Sequence, residues 1–237
     1  LMSGMGELHL SIYLERMKRE YRAEADVSAP AVAYRETITQ PARFDYTLQQ
    51  QAGSTELYAQ VKGRLEPCQE TFLFENQVVN DAIPSQLIPA CEQGFRDGLI
   101  TGWLKGYPIM GVRVILEGGS YHAHEASEMT FRFAAKQGFE QGFAQAQPAI
   151  LEPMMRLEVE TPSEFLGPIQ GKLLSRRALL LGSETRNHDV VISAEAPLAE
   201  MFGYSTELRS LSHGMATFSM EFAEYRPLPE NLIDKIS

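Results

Sequence analysis

Basic residues are scarce in this chain, as are cysteine, tryptophan and long apolar runs. It carries 21 Lys and Arg against 31 Asp and Glu, a formal net charge of −10. No stretch compensates: residues 30–150 hold 9 basic against 13 acidic side chains, and residues 151–225 hold 6 against 11. Wrapping duplex nucleic acid takes many phosphate-neutralising cations, so the composition argues against it. Docking on RNA through a small local surface stays open. The two cysteines, Cys68 and Cys91, match no metal spacing and are too few for a disulfide framework; they read as reduced thiols of a cytoplasmic protein. No run reaches the ~18–20 apolar residues of a membrane span, so no membrane is expected as partner. The opening Leu1-Met2-Ser3-Gly4-Met5-Gly6 lacks the basic region and apolar core of a signal peptide, and a Leu ahead of Met leads us to expect a fragment. Phosphate-binding glycine loops are missing, both Gly-x-x-x-x-Gly-Lys-[Ser/Thr] and Gly-x-Gly-x-x-Gly. So are a Gly-x-Ser-x-Gly elbow and a recognisable Cys–His setting. The expectation is binding rather than catalysis, with no catalytic residue, metal or cofactor in this chain.

What is present is a mixture of helical and strand periodicity, in a length that suits one or two domains. Residues 5–20 read as a helix with Leu8, Ile12, Met17 and Tyr21 near one face. Residues 34–49, 56–65 and 70–80 read as strands, with Ala52-Gly53-Ser54-Thr55 as the turn between the first two. Pro84 suits the first turn of a helix whose apolar residues run to Leu99, with Gly102 as its stop. Met110–Leu116 reads as a strand ending in the turn Glu117-Gly118-Gly119-Ser120. A long helix then follows from Ser127 to Gln147, with Phe131, Ala135, Phe139 and Phe143 four apart. A second unit begins at Leu151. Its strand, helix, hairpin, helix and strand end near Tyr225, with Pro197 opening the second helix and Gly214 closing it. That order, βαββαβ, is the split βαβ sandwich.

Candidates for chemistry are few. His122-Ala123-His124 with Glu125 and Glu128 has the look of a metal site, since alternate residues of a strand point to one side. Against it, no third histidine lies nearby, and acids are favoured where a helix begins. Arg176-Arg177 is the densest basic spot of the second unit. It suits either a helix C-terminal dipole or an RNA phosphate.

Several ordered stretches resemble elongation factor G. Ser3-Gly4-Met5-Gly6-Glu7-Leu8-His9-Leu10 with Glu15-Arg16-Met17-Lys18-Arg19-Glu20-Tyr21 is similar to the closing helix of that family's third domain. Tyr34-Arg35-Glu36-Thr37-Ile38, Gly106-Tyr107-Pro108, Gly111-Val112-Arg113-Val114 and Gly119-Ser120-Tyr121-His122 resemble its fourth. Leu151-Glu152-Pro153-Met154-Met155 and residues 196–210, from Ala196-Pro197-Leu198 through Gly203-Tyr204-Ser205 to Leu208-Arg209-Ser210, resemble its fifth. The resemblance covers essentially the whole chain. It implies an α+β fold in which a ribosomal protein S5 domain 2-like arm precedes a ferredoxin-like domain. The implied divisions are 1–29 (the end of domain III), 30–149 (domain IV), 150–225 (domain V) and 226–237, a helix packing back on domain IV.

The resemblance also implies function. The arm would reach the decoding site and promote movement of the tRNA–mRNA complex, through a tip of Gly53, Ser54, Gly119, Ser120, Tyr121, His122, His124 and Glu125. The fifth domain would touch rRNA and the stalk base through Arg176, Arg177, Tyr204 and Arg209. GTP and Mg would belong to a GTPase domain expected upstream of Leu1, in a monomeric cytoplasmic factor whose partner is the ribosome. Departures are visible. The family's Gly-Gly-x-Gly-Gln loop is here Ala52-Gly53-Ser54-Thr55-Glu56-Leu57, Ala178 stands where Gly is usual, and Lys172 where Asp is usual. They suggest a divergent paralogue, serving recycling or ribosome protection. Readings of other classes are a small-molecule kinase on the S5-type fold, for which Gly118-Gly119-Ser120 is a short phosphate loop, and an amino-acid-binding regulatory module, which would leave the arm unexplained.

Overall fold

A proline divides what reads as one strand over residues 34–49. In the computed structural model, which describes residues 7–21, 31–52, 55–122, 126–186 and 189–236, β1 (Arg35–Ile38) and β2 (Ala42–Ala52) join different sheets on either side of Thr39-Gln40-Pro41. Proline has no N–H for a ladder. The amides of Thr39 and Gln40 just before it turn away to the carbonyl of Ala146, at 3.2 and 3.1 Å. The chain forms two units. The larger takes Tyr34–Leu151 and Pro227–Ser237, the smaller Leu1–Ala33 and Glu152–Arg226.

In the larger unit β2 pairs antiparallel with β3 (Thr55–Pro67), from Ala42 opposite Leu65 to Ala52 opposite Thr55. The turn residues Gly53 and Ser54 lie outside the described residues. The sheet order is β2-β3-β5-β4, with β4 at Phe72–Asn76 and β5 at Val112–Tyr121, these last two parallel. A 3-10 turn (Ser85–Leu87) leads into α2 (Ile88–Gly98), and α3 runs from Glu128 to Gln145. The helix read from Pro84 therefore ends four residues before Gly102. The four-apart apolar row of α3 is core as its periodicity demands: Phe131, Ala135, Phe139 and Phe143 are buried with Phe44, Val61, Leu65, Phe95, Val112 and Val114. Burying each such phenylalanine contributes about 2–3 kcal/mol.

The glycine-rich turn expected at Glu117–Ser120 is not a turn. β5 continues through it to Tyr121, shifting register against β3 so that Gly63 faces Leu116 and Lys62 faces Gly118. Glu117 is the extra residue of a bulge, and bulges raise local twist. A Cβ at Gly119 would overlap the Gln60 carbonyl, so glycine is what lets the two strands stay this close. The extra carboxylate is used on the open face of the sheet, where Arg43 and Arg64 both reach Glu117, and Arg64 and Arg113 both reach Glu66.

The first residues of β6 (Pro148–Pro162) pair with β1. The tail also belongs to the larger unit. The Leu228 amide donates to Ile150 (2.8 Å), the Lys105 ammonium donates to the Ile236 carbonyl (3.3 Å), and Glu230–Lys235 is a 3-10 helix.

The smaller unit has the βαββαβ order: β6, α4 (Leu166–Ser175), β7 (Leu179–Arg186), β8 (Asp189–Pro197), α5 (Tyr204–Leu211) and β9 (Thr217–Pro227). Its strands are ordered β9-β6-β8-β7, with β8 antiparallel to both neighbours. Both helices bury one stripe against Leu157, Val159, Ile192 and Ala194, through Ile169 and Leu173 of α4 and Tyr204 and Leu208 of α5. The helix expected to run unbroken from Pro197 is two pieces. A 3-10 turn at Leu198–Met201 is followed by extended Phe202 and by Gly203 at φ 72° before α5 starts. At its far end the left-handed residues are His213 (φ 50°) and Gly214 together, and the Gly214 amide closes on the Arg209 carbonyl at 2.8 Å. The remaining helix, α1 (Glu7–Tyr21), leaves Tyr21 exposed on the face read as apolar and Met17 half-buried; the side chains of Leu8 and Ile12 lie outside the described residues.

Candidate functional site

At the end of β5 the larger unit gathers polar and aromatic side chains on the side of the sheet away from its core. Alternation explains the placement: Ala59 and Val61 of β3 point into the core, so Tyr58, Gln60 and Lys62 point out. Ser120 lies opposite Gln60 in register. Its hydroxyl donates to Gln60 Oε1 (2.9 Å), which leaves its lone pair to accept from the Tyr58 hydroxyl (2.8 Å). Gln60 Nε2 donates in turn to Asp45 Oδ1 (2.8 Å), and Lys62 neutralises that carboxylate at 3.2 Å. The result is a one-way relay of donors from phenol to hydroxyl to amide to carboxylate, in which each bond polarises the next. One residue past the strand, the exposed His122 imidazole lies flat on the Tyr58 ring, with centroids 4.0 Å apart and planes 7° from parallel.

Of the residues expected at this tip, Ser120 and His122 come together here, while Tyr121, opposite Ala59, lies on the other face of the strand. Gly119 serves strand packing, while Gly53, Ser54, His124 and Glu125 lie outside the described residues. Ser127 caps the following helix, its hydroxyl accepting from the Thr130 amide at 3.1 Å, and the His122 carbonyl accepts from the Ala126 amide at 3.0 Å. Among the described residues no group of three His, Cys, Asp or Glu could hold a metal. Cys91 is fully buried, which pushes its thiol up to about 12 and keeps it protonated.

The basic residues of the smaller unit are arranged differently. Arg177 sits at φ 59° just beyond α4, and the amides of Arg177 and Ala178 return to Leu174 and Leu173. This is a Schellman closure with arginine in the left-handed position that glycine favours. Its guanidinium forks onto the buried Glu152 carboxylate at 3.0 and 2.5 Å. Arg176 donates to Glu207 Oε2 twice, at 3.0 and 2.7 Å, and to the carbonyls of Glu200 and Phe202, and lies over the Tyr204 ring. Lys172 adds a contact to Glu207 at 2.5 Å. Hydrogen bonding from Lys172, then from Arg176, holds the Glu207 carboxyl below the usual glutamate range. Tyr204 has no exposed surface, and its hydroxyl has no hydrogen-bond partner among the described residues. Burial pushes its ionisation far up. The expectation that Tyr204 offers a contact surface is therefore corrected: it is core. Arg176 is committed inward, its side chain only 18% exposed. Arg209 alone of the four is exposed with no ion pair among the described residues.

Sequence reasoning missed Tyr58, Gln60 and Asp45, although Tyr-x-Gln-x-Lys alternation in β3 marks one outward face. It also missed what Glu36 does. This carboxylate, wholly buried, accepts the amides of Leu104, Lys105, Gly106 and Tyr107 at 2.9–3.2 Å and so shapes the loop after α2. Nothing in the Tyr-Arg-Glu-Thr stretch signals such a role.

Family models match the chain in order: "Elongation Factor G, domain III" over residues 1–29, "Elongation factor G, domain IV" over 30–147 and "Elongation factor G C-terminus" over 149–236. The chain belongs to the elongation factor G family. It is 48% identical over 238 residues to elongation factor G 1 of Syntrophus aciditrophicus and 47% identical over 236 residues to elongation factor G 2 of Anaeromyxobacter dehalogenans; each alignment covers 100% of this chain and 34% of the relative. The chain thus spans about a third of the length of the curated relatives it matches. A crystal structure from Thermus thermophilus matches with a TM-score of 0.87 at 37% identity, over 98% of this chain and 35% of that one. The S5-like and ferredoxin-like α+β architecture is that of the family's fourth and C-terminal domains. The alternative readings as a kinase or an amino-acid-binding module have no support in these matches.

Proposed function

We propose that this chain is the ribosome-reading part of a GTP-driven elongation factor that moves the tRNA–mRNA complex through the small subunit. In this reading the end of β5, with Ser120, Tyr121 and His122, meets the tRNA–mRNA complex. The exposed Arg209 faces rRNA near the stalk base. GTP and Mg are bound by a part of the protein outside this chain, and the factor works as a cytoplasmic monomer. The observation that carries the reading is the ordered match of three consecutive elongation factor G domains along the chain. The tip chemistry is compatible with it. A surface of hydroxyls, an amide and an exposed imidazole recognises RNA by hydrogen bonds and stacking and does not depend on bulk positive charge. The test is polypeptide synthesis reconstituted without the resident translocase. The full-length protein should restore elongation in a GTP-dependent manner, and His122→Ala should slow it at saturating factor. No elongation with wild-type protein would overturn the reading.

A further inference from the structure

We propose that Tyr58 is a positioning residue for His122, holding the imidazole in the plane in which it meets RNA. This rests on the translocation reading for its biological readout but not for its physical one. His122 follows the last strand residue, Tyr121, whose partner is Ala59, so no ladder bond fixes the backbone beyond it. The Ala126 amide donates to the His122 carbonyl, and the Tyr58 ring lies parallel to the imidazole with centroids 4.0 Å apart.

Tyr58 can serve as that platform because it is itself held. Its backbone is in β3, opposite Gln49, and its hydroxyl is tied through Ser120 and Gln60 to Asp45, which Lys62 neutralises. The relay fixes the direction of the phenolic hydrogen bond: Ser120 spends its proton on Gln60, so Tyr58 must donate. The ring is thereby pinned at its far end as well as at its Cα. The imidazole ordered on top of it reaches a partner without first losing its rotamer freedom, which is worth roughly two- to tenfold per ordered side chain.

The experiment is a double-mutant cycle in the full-length protein, read as the single-turnover translocation rate at saturating factor, together with histidine-selective ring-proton NMR. Tyr58→Ala should lower the rate about fivefold. It should lower it no further in a His122→Ala background, because a residue acting through another has nothing left to act on. Tyr58→Phe keeps the platform and should restore most of the rate. In wild-type protein the His122 ring protons, assigned by their loss in His122→Ala, should lie upfield and should move to solvent-exposed positions in Tyr58→Ala. Tyr58→Leu takes the place of Tyr58→Ala if the latter does not fold. Losses that multiply in the double variant, or unshifted His122 protons in the wild type, overturn the proposal. Upfield His122 protons in a protein that fails to translocate would leave the positioning role standing and remove the translocation reading.

Discussion

The two polar clusters of this molecule use different residues to opposite ends. In the smaller unit, Arg176, Arg177 and Lys172 spend their charge on Glu207, Glu152 and two backbone carbonyls. The helix ends are welded together and little charge is left for a partner. In the larger unit, the relay from Tyr58 to Asp45 consumes its donors sideways along the sheet and leaves an aromatic face, His122, standing at the end of it. A basic pair in a sequence therefore does not by itself mark exposed positive charge: here both arginines are committed to carboxylates.

That contrast can be broken or sharpened by measurement. The largest effect is expected for Arg176→Ala, which strips Glu207 of its fork, frees two carbonyls and uncovers the Tyr204 ring. Chemical denaturation should show a loss of about 3 kcal/mol, whereas Ser120→Ala at the tip should cost under about 1 kcal/mol. Equal losses would erase the distinction. Next is Tyr204→Phe. It removes a buried hydroxyl that has no partner among the described residues and keeps the ring under Arg176, so stability should rise by about 1 kcal/mol in the same assay; a fall would mean that the hydroxyl is satisfied after all. The smallest stability change belongs to Arg209→Ala, within about 0.5 kcal/mol. The same variant should weaken ribosome binding in a pelleting assay, more at low salt than at high salt. Unchanged binding would leave the smaller unit with no basic contact among the four residues considered.

Much of the fold was legible because periodicity and punctuation agree with packing. The four-apart row of α3 is core, Ser127 caps it, and the βαββαβ order of the second unit follows from alternating and helical stretches set between prolines and glycines. The misreadings have separate physical causes. The pair Gly118-Gly119 has the composition of a turn, yet it serves a bulge and a close strand approach, and only the partner strand reveals that. Residues 34–49 alternate as one strand, and the assignment to two sheets depends on Pro41 and on the distant Ala146 carbonyl. Tyr204 could have been placed correctly: it is three residues after Met201 and four before Leu208, both buried, which is the spacing of a core stripe. Resemblance drew it to the surface instead. The pairing of Arg177 with Glu152 and the relay to Asp45 join residues far apart in sequence, so no local pattern announces either.

The buried carboxylate of Glu36 has a consequence for the loop that follows α2. Four backbone amides converging on one anion make the kind of cradle that elsewhere captures free phosphate or sulfate. Here the anion arrives tethered to β1, so dialysis cannot remove it and dissolved anions have no vacancy to enter. The loop carrying Trp103 is, in effect, a binding site supplied with its own permanent ligand, and its shape is set by the reach of one side chain: shortening that reach by a single methylene, as in Glu36→Asp, would withdraw the ligand without emptying the solution of anything.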